Sequence, residues 1–148
     1  MKPLLGVRVV EFEGIGPGPL GARMLADFGA EVVVVARPGA GVINQRMGDR
    51  EAENPLRRGK QVEELNLKDA QHVARARELI AHSDVLIEGN RPGVMERLGL
   101  GPAVCAELNP KLVYGRMTGW GQEGPLASAA GHDVNYVALS GALSLSAR

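Results

Sequence analysis

The residue whose type and setting most invite chemistry is His132. It stands in Gly131-His132-Asp133-Val134-Asn135-Tyr136, shortly after the glycine-rich run Gly119-Trp120-Gly121-Gln122-Glu123-Gly124-Pro125. Asp133 is a suitable cap for a helix that starts there. His132 then sits at or before a helix N-terminus, where the dipole favours the neutral, basic imidazole. Arg37 comes next. It follows the run Glu31-Val32-Val33-Val34-Val35-Ala36, and the end of a second strand is where open α/β sheets meet the ribose of a nucleotide. An arginine there suits a ribose phosphate, carried by both NADP and coenzyme A; a solvated loop arginine is the alternative.

A third motif lies in Gly14-Ile15-Gly16-Pro17-Gly18-Pro19-Leu20-Gly21, where Gly16, Gly18 and Gly21 fit G-x-G-x-x-G. Pro17 and Pro19 remove N–H donors that a pyrophosphate needs. Arg37 also stands where an NAD site carries an acid. The turn therefore reads as a steric device rather than a dinucleotide clamp. His72 on a polar helix face, His82 near a helix C-terminus and Cys105 on an apolar stripe read as structural. There is no metal-ligand spacing and no nucleophile elbow.

These residues need elements to position them. Residues 7–12, 31–36, 61–67, 84–88 and 112–117 read as strands, and the unbroken valines of the second are those of a strand covered on both faces. Glu63 and Glu64 make the third an exposed one. Leu20, Met24, Leu25 and Phe28 recur at helical spacing, with Gly29 as the stop. Asp69 caps a predicted helix over 70–81 whose apolar face is Val73, Ala76, Leu79 and Ile80. Two short helices, 92–98 and 102–108, start at prolines. A long irregular segment joins Arg37 to Lys60. The alternation predicts an α/β fold, a Rossmann-like parallel sheet with flanking helices, in one domain over 1–148.

Composition narrows the function. Hydrophobic residues make up 45% of the 148, enough for a real core. Seventeen basic residues balance seventeen acidic ones, which gives no support for nucleic-acid or membrane-surface binding. Aromatics are 3%, too few for base stacking to be the main activity. A single cysteine, Cys105, fits a reducing compartment. No secretory signal opens the chain and no apolar run approaches the roughly 20 residues of a membrane span. A cytoplasmic location is expected.

Several segments together resemble the family III CoA-transferases, a group that includes α-methylacyl-CoA racemases. They are Gly14 to Pro19, Leu25-Ala26-Asp27-Phe28-Gly29-Ala30, Arg37-Pro38-Gly39, Ser83 to Glu88, Arg91 to Gly101, Asn109 to Tyr114, Gly119 to Pro125 and Gly131 to Tyr136. The Gly-His-Asp-Val-Asn-Tyr segment is most similar to the racemases. By that resemblance His132 is one of two acid/base groups, and coenzyme A would be held by Arg37, Leu65, Asn66, Leu67, Lys68, Gly89, Asn90, Arg91, Arg97, Gly131, Asp133, Val134, Asn135 and Tyr136. Asn90 stands where the family often has an aromatic residue. The resemblance implies an acyl-CoA substrate, with coenzyme A part of that substrate and no other cofactor, and an interlocked homodimer. It also places the second acid/base, an aspartate, beyond residue 148. The chain would then be less than half of the enzyme and inactive alone. The remaining alternatives are a CoA-transferase of the same family and a CoA-binding module without catalysis.

Overall fold

The computed structural model describes residues 2–39 and 54–146; residues 40–53, most of the irregular segment after Arg37, lie outside the described residues. The strands are β1 (Arg8–Phe12), β2 (Glu31–Ala36), β3 (Gln61–Glu64), β4 (Val85–Glu88) and β5 (Val113–Arg116). The helices are α1 (Pro17–Asp27), α2 (Ala70–Ala81), α3 (Val94–Arg97), α4 (Pro102–Leu108), α5 (Asp133–Leu139) and α6 (Leu143–Ser146). The chain divides into two compact units between Met117 and Thr118.

In the first unit all five strands run parallel in the order β3-β2-β1-β4-β5. The central strand is β1. Its Val9 pairs with Val32 of β2 on one side and Val85 of β4 on the other, and Val10 with Val33 and Leu86. Side chains alternate across the pleat. Val10, Phe12, Val35 and Leu86 therefore pack on one face with Ala76 and Ile80 of α2, Met95 of α3 and Cys105 of α4. Val9 and Val32 pack on the other face with Ala22 of α1 and Ala30. Helices cover both faces, which is why β1 and β2 read as near-continuous apolar runs. At the sheet's edge β3 keeps Gln61, Val62 and Glu64 exposed and Glu63 partly so, as its glutamates predict.

Four sequence expectations need correction. The helix expected over 92–98 is the single turn α3, Val94–Arg97, capped by Gly93 at φ 80°, so Pro92 lies outside it. Of the residues at helical spacing in α1 only Leu25 packs against the core, while Leu20, Met24 and Phe28 are about half exposed. The buried residues are Gly18, Pro19, Ala22 and Arg23. Small residues win that face because the helix lies tight on the sheet; a Cβ at Gly18 would already touch Met117 Cγ at 3.6 Å and Ile87 Cγ2 at 3.8 Å. Next, β3 stops at Glu64 rather than continuing to Leu67, because Asn66 and Asp69 turn the chain into α2. Finally, Asp133 is the first residue of α5 and His132 is its cap. The expected stop at Gly29 is present: it has φ 103°, just after the last turn of α1.

Polar groups tie the segment Asn54 to Lys60 onto this frame. Lys60 Nζ donates to Glu11 Oε2 at 2.6 Å and to the Pro19 carbonyl at 2.8 Å, with both charged side chains sealed from solvent. Arg57 pairs with Glu13 at 2.5 Å. Arg23 bonds Asp27 at 3.0 Å and the Pro55 carbonyl. Burial pushes the Glu11 carboxyl up and the Lys60 ammonium down, and their mutual contact opposes both shifts.

Candidate active site

Parallel strands bring every βα loop to one edge of the sheet. The turn after β3, Leu65 to Lys68, lies there, as do Arg37 after β2, Glu13 to Gly16 after β1, and Gly89 to Arg91 after β4. The strand order reverses between β1 and β4, the place where open α/β sheets open a crevice for ligands.

The turn after β3 is fixed from within. Asn66 N donates to His72 Nδ1 at 2.9 Å, Lys68 N to Asn66 Oδ1 at 3.2 Å, and Asp69 N to the Asn66 carbonyl at 2.8 Å. Asp69 then caps α2 by accepting from Gln71 N at 2.8 Å. His72, read as structural from its polar face, is the acceptor that holds Asn66. Leu65 turns into the core, while Leu67 and Lys68 line an open cleft of about 530 Å³.

Arg97 and Leu98 line the same cleft. Its floor is Ala70, Val73, Ala74 and Arg77, which fall at i, i+3, i+4 and i+7 on α2. The sequence reading missed Arg77, although this spacing, with Ala70 and Ala74 as the small residues of the same face, was a readable signal. Arg77 donates from Nε and a terminal nitrogen to the Gly99 carbonyl at 3.2 and 3.0 Å. Gly99 has φ 67°, and a Cβ there would stand 2.7 Å from that guanidinium. Only glycine meets both demands.

The loop after β4 is organised by a buried carboxylate that the sequence reading left unassigned. Glu88, 3% exposed, accepts from Asn90 N at 2.7 Å and faces Arg116 Nε at 3.5 Å. Arg116 also pairs with Glu96 on α3. Burial raises the Glu88 carboxyl, against the pull of Asn90 and Arg116, while the hydrogen bond from Arg116 holds Glu96 low. Asn90 Nδ2 lies 3.4 Å from Met95 Sδ, also on α3. Gly89 and Arg91 flank this anchor.

In this unit Arg8, Arg23, Arg57, Arg58, Lys60, Arg75 and Arg116 pair with carboxylates, and Arg77 bonds the Gly99 carbonyl. Lys2 and Lys111, ahead of β1 and β5, have no ion pair among the described residues. The side chains of Arg37, Lys68, Arg91 and Arg97 have no ion pair or hydrogen bond among the described residues. Those four are the cations predicted to meet a ligand. The described residues contain no group of three or more His, Cys, Asp or Glu able to hold a metal.

The second unit carries His132. The exposed imidazole stands at the cap of α5, and His132 N donates to Asn135 Oδ1 at 2.9 Å. The His132 carbonyl accepts from Asn135 N at 2.9 Å and Tyr136 N at 3.3 Å. Asp133 and Val134 are exposed. Tyr136 is 37% exposed, yet its hydroxyl lies against both Gly119 and Gly131, and its ring packs on Trp120 with centroids 5.2 Å apart. Trp120 Nε1 donates to the Ala130 carbonyl at 3.3 Å.

A nucleotide-type parallel sheet with unpaired cations along its C-terminal edge defines a class, and comparison with known proteins names it. The model of CoA-transferase family III matches residues 4–148, and the chain belongs to that family. It is 50% identical over 141 residues to the α-methylacyl-CoA racemase of Mus musculus, covering 95% of this chain and 34% of that protein. It is 36% identical over 147 residues to succinyl-CoA:glutarate CoA-transferase of Mus musculus, again 34% of its length. The crystal structure of Rv3272 from M. tuberculosis superposes with a TM-score of 0.85 at 38% identity, over 96% of this chain and 40% of that one. The chain thus spans about a third of the length of the curated relatives it matches. No helix among the described residues is long and apolar enough to cross a membrane.

Proposed function

We propose that this chain forms the coenzyme-A-binding front of an enzyme that inverts the α-carbon of 2-methylacyl-CoA thioesters. The observation that carries the coenzyme A part is the set of four unpartnered cations, Arg37, Lys68, Arg91 and Arg97, gathered by the C-terminal edge of one sheet in a chain of this family. Phosphates take such groups as charge-assisted, often bidentate partners. Binding energy from that remote part of the substrate then positions the reacting carbon.

His132 is the acid/base in this reading. The α-proton moves to the neutral imidazole while the C–H electron pair passes into the thioester, giving an enolate. A proton returned to the opposite face inverts the centre. That face needs a second group. Asp133 is adjacent to His132 and opens α5, while Asp84 and Glu88 flank β4, so none stands as an evident partner. The higher identity to the racemase than to the transferase supports this reading over group transfer.

The test is α-proton exchange in deuterated water with a 2-methylacyl-CoA, read by mass spectrometry and chiral analysis. Residues 1–148 alone are expected to give at most one-sided exchange without inversion, since one of two acid/base groups commonly contributes about 10²–10⁴-fold in rate. Full racemisation by residues 1–148 would sink the view that the second base lies outside them. Exchange of CoA between an acyl donor and a free acid, with no deuterium uptake, would favour the transferase reading.

A further inference from the structure

The proton-transfer reading makes His132 the reacting group, but what holds the backbone of Gly131-His132 is not the helix alone. Two glycines on either side of the loop, Gly119 and Gly131, are both filled by the same side chain. A Cβ on Gly119 would stand 2.9 Å from Tyr136 Cζ and a Cβ on Gly131 2.7 Å from it, and each would overlap the Tyr136 hydroxyl. Gly131 is closed on a second side by Trp120 Nε1, 2.9 Å from its would-be Cβ. Neither glycine has a positive φ, so what each supplies is space rather than a left-handed backbone.

Trp120 completes the arrangement. Its ring lies on Tyr136 at 5.2 Å with a 56° tilt, and its Nε1 reaches across ten residues to the Ala130 carbonyl. Tilted aromatic pairs with centroids in this range are attractive beyond the area they cover. The Gly119–Gly121 turn, the Ala130–His132 segment and the first turn of α5 are thereby joined. Asn135 holds His132 N from the helix side, while Tyr136 and Trp120 fix Gly131 from the loop side.

We infer that Trp120 and Tyr136 form a wedge that positions His132 for proton transfer, with Gly119 and Gly131 as the seats it needs. The inference rests on the reading of His132 as an acid/base. Neither aromatic residue touches the reacting atoms in this account; they are positioning residues. A reacting group displaced by about 1 Å can cost about 10²-fold in rate, so a loosened wedge lowers turnover rather than substrate affinity.

The experiment uses the full gene product. Gly119→Ala is the informative variant: its backbone allows alanine, so its one cost is the collision with Tyr136. Expected is a loss of about 10–100-fold in the kcat of α-proton exchange, with KM for the acyl-CoA within about twofold of the parent. In residues 1–148, where Trp120 is the single tryptophan, its emission should shift as its packing opens. Gly119→Ala/Tyr136→Phe removes the hydroxyl that collides and should recover part of the loss. Trp120→Phe, which adds no atoms, should retain more activity than Trp120→Ala. Unchanged kcat in Gly119→Ala, a loss confined to KM, or no recovery in the double variant would each overturn the wedge. His132→Asn separates the two claims. Exchange that survives it removes the histidine as the base, and the reading beneath the wedge with it. Exchange abolished by His132→Asn yet untouched by Gly119→Ala overturns the wedge alone.

Discussion

Lys60 and Glu11 show how much a single position can carry when it is sealed from water. Their side chains are 1% and 3% exposed and 2.6 Å apart. Removing one partner leaves a buried charge, and Lys60→Met should cost about 3–5 kcal/mol in urea unfolding. Adding Glu11→Leu should restore most of that, because a buried pair exchanged for apolar groups is often near neutral; an additive loss would sink this account. Glu88 gives a pH signature instead. Burial raises its folded pKa above the unfolded value, so the folded state takes up its proton first as pH falls. Wild type should therefore gain stability relative to Glu88→Gln as pH drops through that raised pKa, and lose it as pH rises. Paired denaturation curves at several pH values check the sign. The sequence exposed neither role. Glu11 and Glu88 look like ordinary polar residues at strand ends, and burial by a partner 49 residues away, or by an arginine across the sheet, has no local signal. Asp133 was misread for a related reason: aspartate is a common cap, but here Asn135 reaches back to His132 N and the helix opens one residue earlier than that preference implies.

At the scale of elements, periodicity found the helices but not always the buried face. For α2 the 3.6-residue pattern placed Ala76 and Ile80 in the core, because a helix spaced normally from a sheet buries its larger apolar residues. In α1 the same logic failed. The helix approaches closely through Gly18 and Ala22 and turns Leu20, Met24 and Phe28 outward. Ile15, in the turn before it, is also exposed. Apolar side chains so arranged on one surface are prone to pack against another copy. The 148-residue chain is expected to self-associate in sedimentation at high concentration, and Leu20→Glu with Met24→Glu to reduce that association. A chain that stays monomeric at high concentration, or a double variant that associates as before, would count against this ridge. The five strands and their parallel arrangement were legible because valine-rich runs alternate with helical patterns; the bounds of β2 matched, while other strand ends were off by one to three residues where turns such as Asn66–Asp69 cut the ladder short.

For the whole molecule, the division of cations is the most useful distinction. Sequence alone singled out Arg37 by its place after the second strand, and the resemblance supplied Lys68, Arg91 and Arg97. Their lack of acidic partners is a property of the folded chain that no local pattern carries. Arg37→Ala should weaken binding of coenzyme A by about 1–3 kcal/mol if its guanidinium meets a phosphate. Isothermal titration measures this, and an unchanged dissociation constant removes Arg37 from the site. Arg77, which the sequence reading passed over, supports the wall of the same cleft through Gly99, so cleft shape and cleft charge come from different arginines.

The central place of β1 has a consequence for synthesis on the ribosome. One edge of β1 is satisfied early, by β2 within the first 36 residues, but the other must wait for β4 at Val85–Glu88. At the typical elongation rate of about 5–20 residues per second, that interval lasts roughly 3–10 s. Throughout it the nascent chain presents Val9, Val10 and Phe12 beside an open backbone edge. Such an edge is a template for unintended strand pairing. A nascent-chain chaperone holding the first 80 or so residues would be most needed in that window, and slowed translation between β2 and β4 should raise aggregation, whereas slowing after β5 should not.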